Sequence, residues 1–291
     1  MFLFPFAATA VSLIFSGLVL KQYIERRKPY QLAWAVALLF FGLGALAETL
    51  ATLGTWNEFL VKTYYLFGGT LVVGYLGLGT LYVSGDYDTG SPVSTFFLGR
   101  RFNVIVSTSL TFFLWLMIYG IKMYRGNTSV ALIVTALYLT LLAVAIFAKE
   151  KVPGTYLVIL LIATALAAYA ISQGVLTNPS ELTETEGWRA LGRTRGIKTG
   201  AFSLNVIGSF ILIIGAIQSA VSLLKKHIMR ETAIGNILIA FGVLVVASGG
   251  TLGGLLGLGG QAAISAPMAI GVTIMFLGFL KTGRPSSPRP S

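Results

Sequence analysis

Runs of about twenty apolar residues follow one another along this chain, separated by short polar connectors. A helix rises 1.5 Å per residue, so roughly 20 residues cross the ~30 Å hydrocarbon core of a bilayer. Within lipid a backbone must satisfy its own hydrogen bonds, and an α-helix does so inside a single segment. The pattern therefore predicts an all-α fold, a polytopic transmembrane helical bundle.

The charge content supports this fold class. Only 11% of the 291 residues are charged and 55% are hydrophobic, whereas a soluble domain carries about 25% charged residues. The net charge of +11 would suggest nucleic acid in a soluble protein. Here the basic residues lie mostly in the connectors, where they encode topology. We therefore expect the lipid bilayer as the partner, and no nucleic acid.

Nine segments are long and apolar enough to span, and eight spans is the alternative count. We expect one bundle over 1–280, followed by a disordered tail at 281–291 that is rich in Pro and Ser. The short connectors predict antiparallel neighbours. The predicted spans are 3–21, 31–52, 60–83, 102–122, 128–148, 153–172, 201–223, 233–255 and 263–280.

Basic residues predict the orientation. If the N-terminus is outside, the inside connectors hold most of the 21 Lys and Arg residues, including the cluster Lys21, Arg26, Arg27 and Lys28. The positive-inside rule then predicts an N-terminus outside and a C-terminus inside. It also fits an integral protein of the cytoplasmic membrane.

The longest predicted connector, 173–200, lies outside in this topology. Ser180 can cap a short helix that has acids in its early turns and bases in its later turns, the order that the helix dipole favours. Trp188 and Leu191 would then face the lipid headgroups. We therefore expect a short interfacial helix in this loop.

Glu48 and Lys62 are the most informative charges in the predicted spans. They flank a short connector between the second and third helices, so they are expected at similar depth. An unpaired charge there is costly, and a facing acid and base offset each other. The pair is either an ion-pair gate or a clamp for a substrate carboxylate, with Trp56, Tyr64 and Tyr65 nearby, or it is a latch between the two helices.

Glycine is concentrated at 249–260, which reads GGTLGGLLGLGG. As a helix this segment offers a close-packing face. As a broken helix it offers free backbone groups that can bind an ion or substrate. The glycines of this candidate packing or binding segment are Gly249, Gly250, Gly253, Gly254 and Gly257.

Two further patterns are weaker. Thr70, Gly74 and Gly77 form a small-residue stripe on the third helix, which favours close helix packing. Polar amides in or at the edges of the later spans indicate interhelical hydrogen bonds or, as the alternative, a polar substrate path; they are Gln173, Asn205, Gln218, Asn236 and Gln261.

The residue inventory excludes much chemistry. Without cysteine, disulfides and iron–sulfur clusters cannot form, and a single histidine, His227, cannot build a multi-histidine metal site. We expect no catalytic residues, metal or cofactor. The sequence favours a non-catalytic membrane component: a sensor, an assembly factor or a complex subunit that binds other subunits or itself through small-residue helix faces. The alternative is a transporter-like protein, a small-molecule or ion permease that uses the Gly-rich eighth helix and the Glu48–Lys62 pair.

Overall fold

A computed structural model describes residues 2–85, 151–176, 230–249 and 255–282 except 259, together with isolated positions at 136–143, 180–192 and 204–215. The described residues are almost entirely helical. Among them the only extended pairing is an isolated bridge between Leu176 and Leu191. The expected all-α class is therefore confirmed for the described part of the chain.

The first two helices form a hairpin. Helix α1 spans Leu3–Arg26 and α2 spans Pro29–Leu53, with proline in the first turn of α2, where its missing N–H is no loss. Arg27 closes α1 in the left-handed conformation and donates its N–H to Tyr23 O. The Ser16 hydroxyl donates to Ala35 O across the interface at 2.8 Å. A side chain on one helix thus ties it to the backbone of the other.

A third helix runs through a widened turn. It begins as α3 (Glu58–Thr63), continues as a π-helical segment (Tyr64–Leu71) and ends as α4 (Val72–Gly85). Asn57 caps its start by accepting the N–H of Leu60 at 2.9 Å. In the π segment Thr70 donates its hydroxyl to Tyr65 O, five residues back. The widened turn brings Gly68 against Gly44 of α2, backbone to backbone.

Two further segments flank this helix. Helix α5 (Val152–Ser172) runs antiparallel to it, because Lys62 contacts Ser172 at one end while Tyr75 contacts Thr164 further along. The helical positions at 204–215 run parallel to it. Asn205 lies at Gly69, Gly208 at Gly77, and Gly215 at Thr80.

The last two helices, α6 (Arg230–Ala247) and α7 (Ala262–Thr282), form a close antiparallel pair. Glycine recurs every seven residues along both. Gly235 lies at Gly278, Gly242 lies at Gly271, and Gly249 faces Ile264 O. We call these contacts the glycine seam. Because a Cβ built at Gly242 would lie 2.5 Å from Gly271 O, only glycine permits this approach.

Five helices in the described part of the chain are long and apolar enough to cross a membrane. They coincide with five of the nine expected spans; the helical segments are Leu3–Arg26, Pro29–Leu53, Glu58–Tyr82, Val152–Ser172 and Ala262–Lys281. Helix α6 contributes a shorter apolar stretch, Ile237–Val246. The expected span 102–122 lies outside the described residues, and 128–148 contains only isolated helical positions.

Two expected boundaries differ from those of the structure. The eighth span was predicted to reach residue 255, but α6 ends at Ala247. Beyond it Gly257 and Gly260 have positive φ, which a right-handed helix does not accept. At the C-terminus Lys281 and Thr282 belong to α7 rather than to a tail. The remainder of the expected tail lies outside the described residues.

The connector 173–200 differs from its expected arrangement where it is described. Leu191 is buried in a cluster with Trp56, Leu60 and Ile171, so it packs on the bundle instead of facing lipid headgroups. Gly192 donates its N–H to Val175 O beside the Leu176–Leu191 bridge. An apolar side chain gains more from this dry pocket than from the hydrated headgroup region. Trp188 and most of the expected interfacial helix lie outside the described residues.

Candidate functional site

A buried polar group lies where the end of α2 meets the beginning of α7. Glu48 projects from α2 just over one turn before the helix ends. Gln261 immediately precedes α7, and Ser265 lies one turn into it. Residues 213 or more positions apart in the chain are therefore brought together. We call Glu48, Gln261 and Ser265 the Glu48 site.

The distances in this site are those of good hydrogen bonds. Gln261 Nε2 donates to Glu48 Oε1 at 2.8 Å, and the Ser265 hydroxyl lies 2.7 Å from the same oxygen. Ser265 Oγ is also 2.7 Å from Gln261 O, one turn back along its own helix. All three side chains are buried, with Glu48 only 3% exposed. The carboxyl group thus has only neutral polar partners in a dry interface.

Hydroxyl groups extend this polar region to α1. Thr49, next to Glu48, lies 3.1 Å from the Thr9 hydroxyl. Each threonine also donates to a carbonyl four residues back, Thr49 to Ala45 O and Thr9 to Pro5 O. Three helices therefore contribute polar side chains at one end of the bundle, and each hydroxyl has a bonding partner.

The expected pair of Glu48 and Lys62 was wrong. Lys62 Nζ forms an ion pair with Glu58 Oε1 at 2.6 Å, one turn earlier in α3, and donates to Ser172 O at 2.7 Å. Among the described residues no cation pairs with Glu48. The short connector sets the depth of both residues but not the direction in which each helix face points. Glu48 faces α7, and Lys62 faces the end of α5.

The aromatic residues expected near Lys62 do cluster there. The rings of Trp56 and Tyr64 meet edge to face at 5.7 Å, and those of Tyr64 and Tyr65 at 6.2 Å. Trp56 is buried, in the cluster that also holds Leu191. These side chains form an apolar cap over one end of the bundle.

The Gly-rich segment divides into described and undescribed parts. Gly249 is buried in the glycine seam, whereas Gly257 is exposed, with positive φ and open space around it. Gly250, Gly253 and Gly254 lie outside the described residues. The described glycines therefore pack closely at one end of the segment and form a turn at the other.

The polar amides have different positions. Gln261 belongs to the Glu48 site, and Asn205 Nδ2 donates to Gly69 O in the π segment at 2.7 Å. Gln173 is exposed at the C-terminal cap of α5. Gln218 and the side chain of Asn236 lie outside the described residues.

Known proteins add nothing to this geometry. No family model, curated protein or solved structure matches the chain. Its function is therefore inferred from its own residues.

Sequence reasoning missed Ser265 and the glycine seam. Ser265 follows Gln261 by four residues and so shares its helix face, a spacing that could have linked the two. The glycines of the seam recur at seven residues, whereas those of the expected close-packing face recur at four. The pairing of Glu48 with α7 has no local sequence signal, because it joins residues 213 positions apart.

Proposed function

We propose that the chain is a nine-span integral membrane protein of the cytoplasmic membrane, with its N-terminus outside and its C-terminus inside. We further propose that it is a non-catalytic membrane component, a sensor, assembly factor or complex subunit, rather than an enzyme.

The directions of the described segments support the span count. Helices α1 and α2 are antiparallel, and the third helix follows with the direction of α1. Helix α5 and α6 run the opposite way, whereas 204–215 and α7 run with α1. An odd number of crossings places α1 and α7 parallel. The antiparallel contact of α2 with α7 at the Glu48 site fits that arrangement.

The observation that carries the non-catalytic assignment is backbone-to-backbone packing. The glycine seam holds α6 against α7. Gly44 of α2 contacts Gly68 of the π segment, and Gly77 of α4 contacts Gly208. Small residues at these positions bring helices together and leave little room for a substrate between them. General acid–base chemistry also requires several positioned titratable groups, and the spans supply few.

A small-molecule or ion permease is the second candidate, and the Glu48 site favours it. An ionisable residue buried between transmembrane helices is a common feature of ion and proton pathways. Gln261 and Ser265 give that carboxyl polar neighbours on a second helix.

Flux measurements separate the two candidates. The purified chain is reconstituted into liposomes, and proton, sodium and potassium fluxes are compared with protein-free liposomes. A non-catalytic component leaves these fluxes at the protein-free level. A flux that the wild type supports and the folded Glu48→Gln variant loses would establish the permease instead.

Single cysteines test the topology, since the chain contains no cysteine. Arg26 and Leu53 are exposed at opposite ends of the α1–α2 hairpin. In intact cells a membrane-impermeant maleimide should label Leu53→Cys but not Arg26→Cys or Ser291→Cys until the cells are opened. Labelling of Ser291→Cys from outside would mean an even number of spans.

A further inference from the structure

Three oxygen atoms of the Glu48 site form a chain in which each neighbouring pair is at hydrogen-bonding distance. Gln261 O is 2.7 Å from Ser265 Oγ, and Ser265 Oγ is 2.7 Å from Glu48 Oε1. This is the usual separation of an O–H···O hydrogen bond. Both contacts are ordinary hydrogen bonds if each has a hydrogen of its own between its oxygens.

The number of available hydrogens bears on the protonation state of the carboxyl group. Ser265 supplies one hydroxyl hydrogen, and the carbonyl of Gln261 supplies none. If Glu48 is ionised, it supplies none either, and the single Ser265 hydrogen must be shared between two acceptor oxygens at 2.7 Å. If Glu48 carries a proton on Oε1, it donates to Ser265, which donates to Gln261 O. With this extra proton each contact has its own hydrogen, which favours the neutral carboxyl group.

The surroundings of Glu48 agree with a neutral carboxyl group. Among the described residues, the titratable side chains at this end of the bundle are Glu58, Lys62, Tyr64, Tyr65 and, near the end of α5, the exposed Tyr169. Lys62 is paired with Glu58. The first basic residue of α1, Lys21, and the Lys281 of α7 lie roughly 18 Å and 24 Å away along their helices from Thr9 and Ser265.

We propose that Glu48, Ser265 and Gln261 form a proton-binding site that fastens the first turn of α7 to α2. Binding forms the Oε1–H bond. Release breaks it, sends H⁺ to water and leaves the bonding electron pair on the carboxylate. The site rests on the membrane-embedded bundle proposed above, and it supplies the stimulus, pH, to which a sensor would respond.

The first turn of α7 has few backbone constraints of its own, so its position depends on its contact with α2. Gly257 and Gly260, just before the helix, adopt left-handed conformations that few other residues tolerate. Pro267 lies inside the helix and has no N–H to give to the carbonyl four residues earlier. This turn is therefore held less by its own backbone than an ordinary turn is. Loss of the proton should separate it from α2.

Infrared spectroscopy tests the protonation directly. The full-length protein in detergent micelles at pH 7 should show a carboxylic-acid C=O band that shifts in ²H₂O, and Glu48→Gln should lose it. Glu58→Gln, which removes the carboxylate paired with Lys62, is the matched control and should keep the band. Absence of the band from the wild type at pH 7 overturns the proposal without needing any variant to fold.

Stability provides a second measurement. A folded state that holds one more proton than the unfolded state loses stability as pH rises, about tenfold in the unfolding constant per pH unit. This slope begins above the ordinary ionisation of glutamate, near pH ~4.3. From pH 5 to 7 the free energy of unfolding of the wild type should therefore fall relative to that of Glu48→Gln. Equal slopes in the two proteins contradict a bound proton.

Maleimide labelling tests the movement. Ala262→Cys, at the buried beginning of α7, should label faster at pH 9 in the wild-type background than in the Glu48→Gln background. Leu255→Cys is 80% exposed and should label equally in both. If Ala262→Cys also labels equally, the site does not fasten the turn. The flux experiment above is independent of this result, so failure of this site leaves the proposed function testable.

Discussion

At the scale of single residues, side chains on one helix repeatedly bond to backbone carbonyls of another. Ser16 donates to Ala35 O, Trp34 Nε1 to Leu76 O, and Tyr156 to Gly74 O. A helix carbonyl keeps a second lone pair after its helical bond is made, so such contacts need no break in the helix. They fix the rotation of each helix about its axis, which apolar packing alone fixes weakly.

The bond from Asn205 to Gly69 O offers a direct measurement. Asn205→Leu removes the donor to the π segment and should lower the free energy of unfolding by about 1 kcal/mol, as interhelical hydrogen bonds in membranes typically do. Gln173→Leu changes an exposed amide and should alter it by less than about 0.5 kcal/mol. Denaturant titration in detergent measures both, and equal effects would assign no stabilising role to the Asn205 bond.

Residue partners were the least predictable feature. Glu48 and Lys62 were correctly recognised as charges near helix ends, yet each has another partner. Chain separation fixes depth in a hairpin, but the rotation of each helix depends on contacts with third helices. Lys62 turns to the C-terminus of α5, where the last carbonyls attract a cation.

At the scale of elements, the glycine seam determines how α6 and α7 meet. A Cβ at Gly271 would lie 2.7 Å from Gly242 O, and one at Gly278 would lie 2.6 Å from Gly235 O. Dispersion between two backbones in contact replaces the hydrophobic effect, which does not drive helices together in lipid. The seam therefore supplies packing where large side chains would hold the helices apart.

Substitution of one seam glycine should show this. Gly242→Ala places a methyl group against Gly271 O and should destabilise the protein by about 1–3 kcal/mol. Gly17→Ala has nothing within 4 Å of the new methyl group and should stabilise α1 by about 0.5–1 kcal/mol. Thermal unfolding in detergent compares them. A Gly242→Ala protein as stable as the wild type would mean that the two helices can separate freely.

Helix positions were more predictable than helix partners. Lipid demands about twenty apolar residues in any helix that crosses it, so five expected spans coincide with described helices. The end of α6 was harder, because a run of glycines permits both a close-packed helix and a left-handed turn. In the structure α6 ends at Ala247, and the left-handed glycines, Gly257 and Gly260, come just before α7.

At the scale of the whole molecule, one apolar cluster joins distant parts of the chain. Trp56 precedes α3, Ile171 lies at the end of α5, and Leu191 belongs to the following connector. All three are buried. The connector is thus part of the bundle where it is described, although its sequence suggested an amphipathic segment lying on the membrane.

Shortening the buried side chain of Leu191 tests how much the connector 173–200 contributes to stability. Leu191→Ala should destabilise the protein by about 2–5 kcal/mol, because the side chain is only 1% exposed, and should speed proteolysis of the connector. Val175→Ala, 71% exposed in the same connector, should change stability by less than about 0.5 kcal/mol. If Leu191→Ala is proteolysed at the same rate as the wild type, Leu191 does not hold the connector on the core.

The spacing of the glycine seam also limits how the last two helices can travel. Their backbones interlock at intervals of seven residues, so sliding restores the same fit only after about 10.5 Å. Any shorter slip would drive side chains into carbonyl oxygens. Separation of the beginning of α7 from α2 should consequently tilt α6 and α7 together, as one rigid pair, instead of sliding one helix along the other.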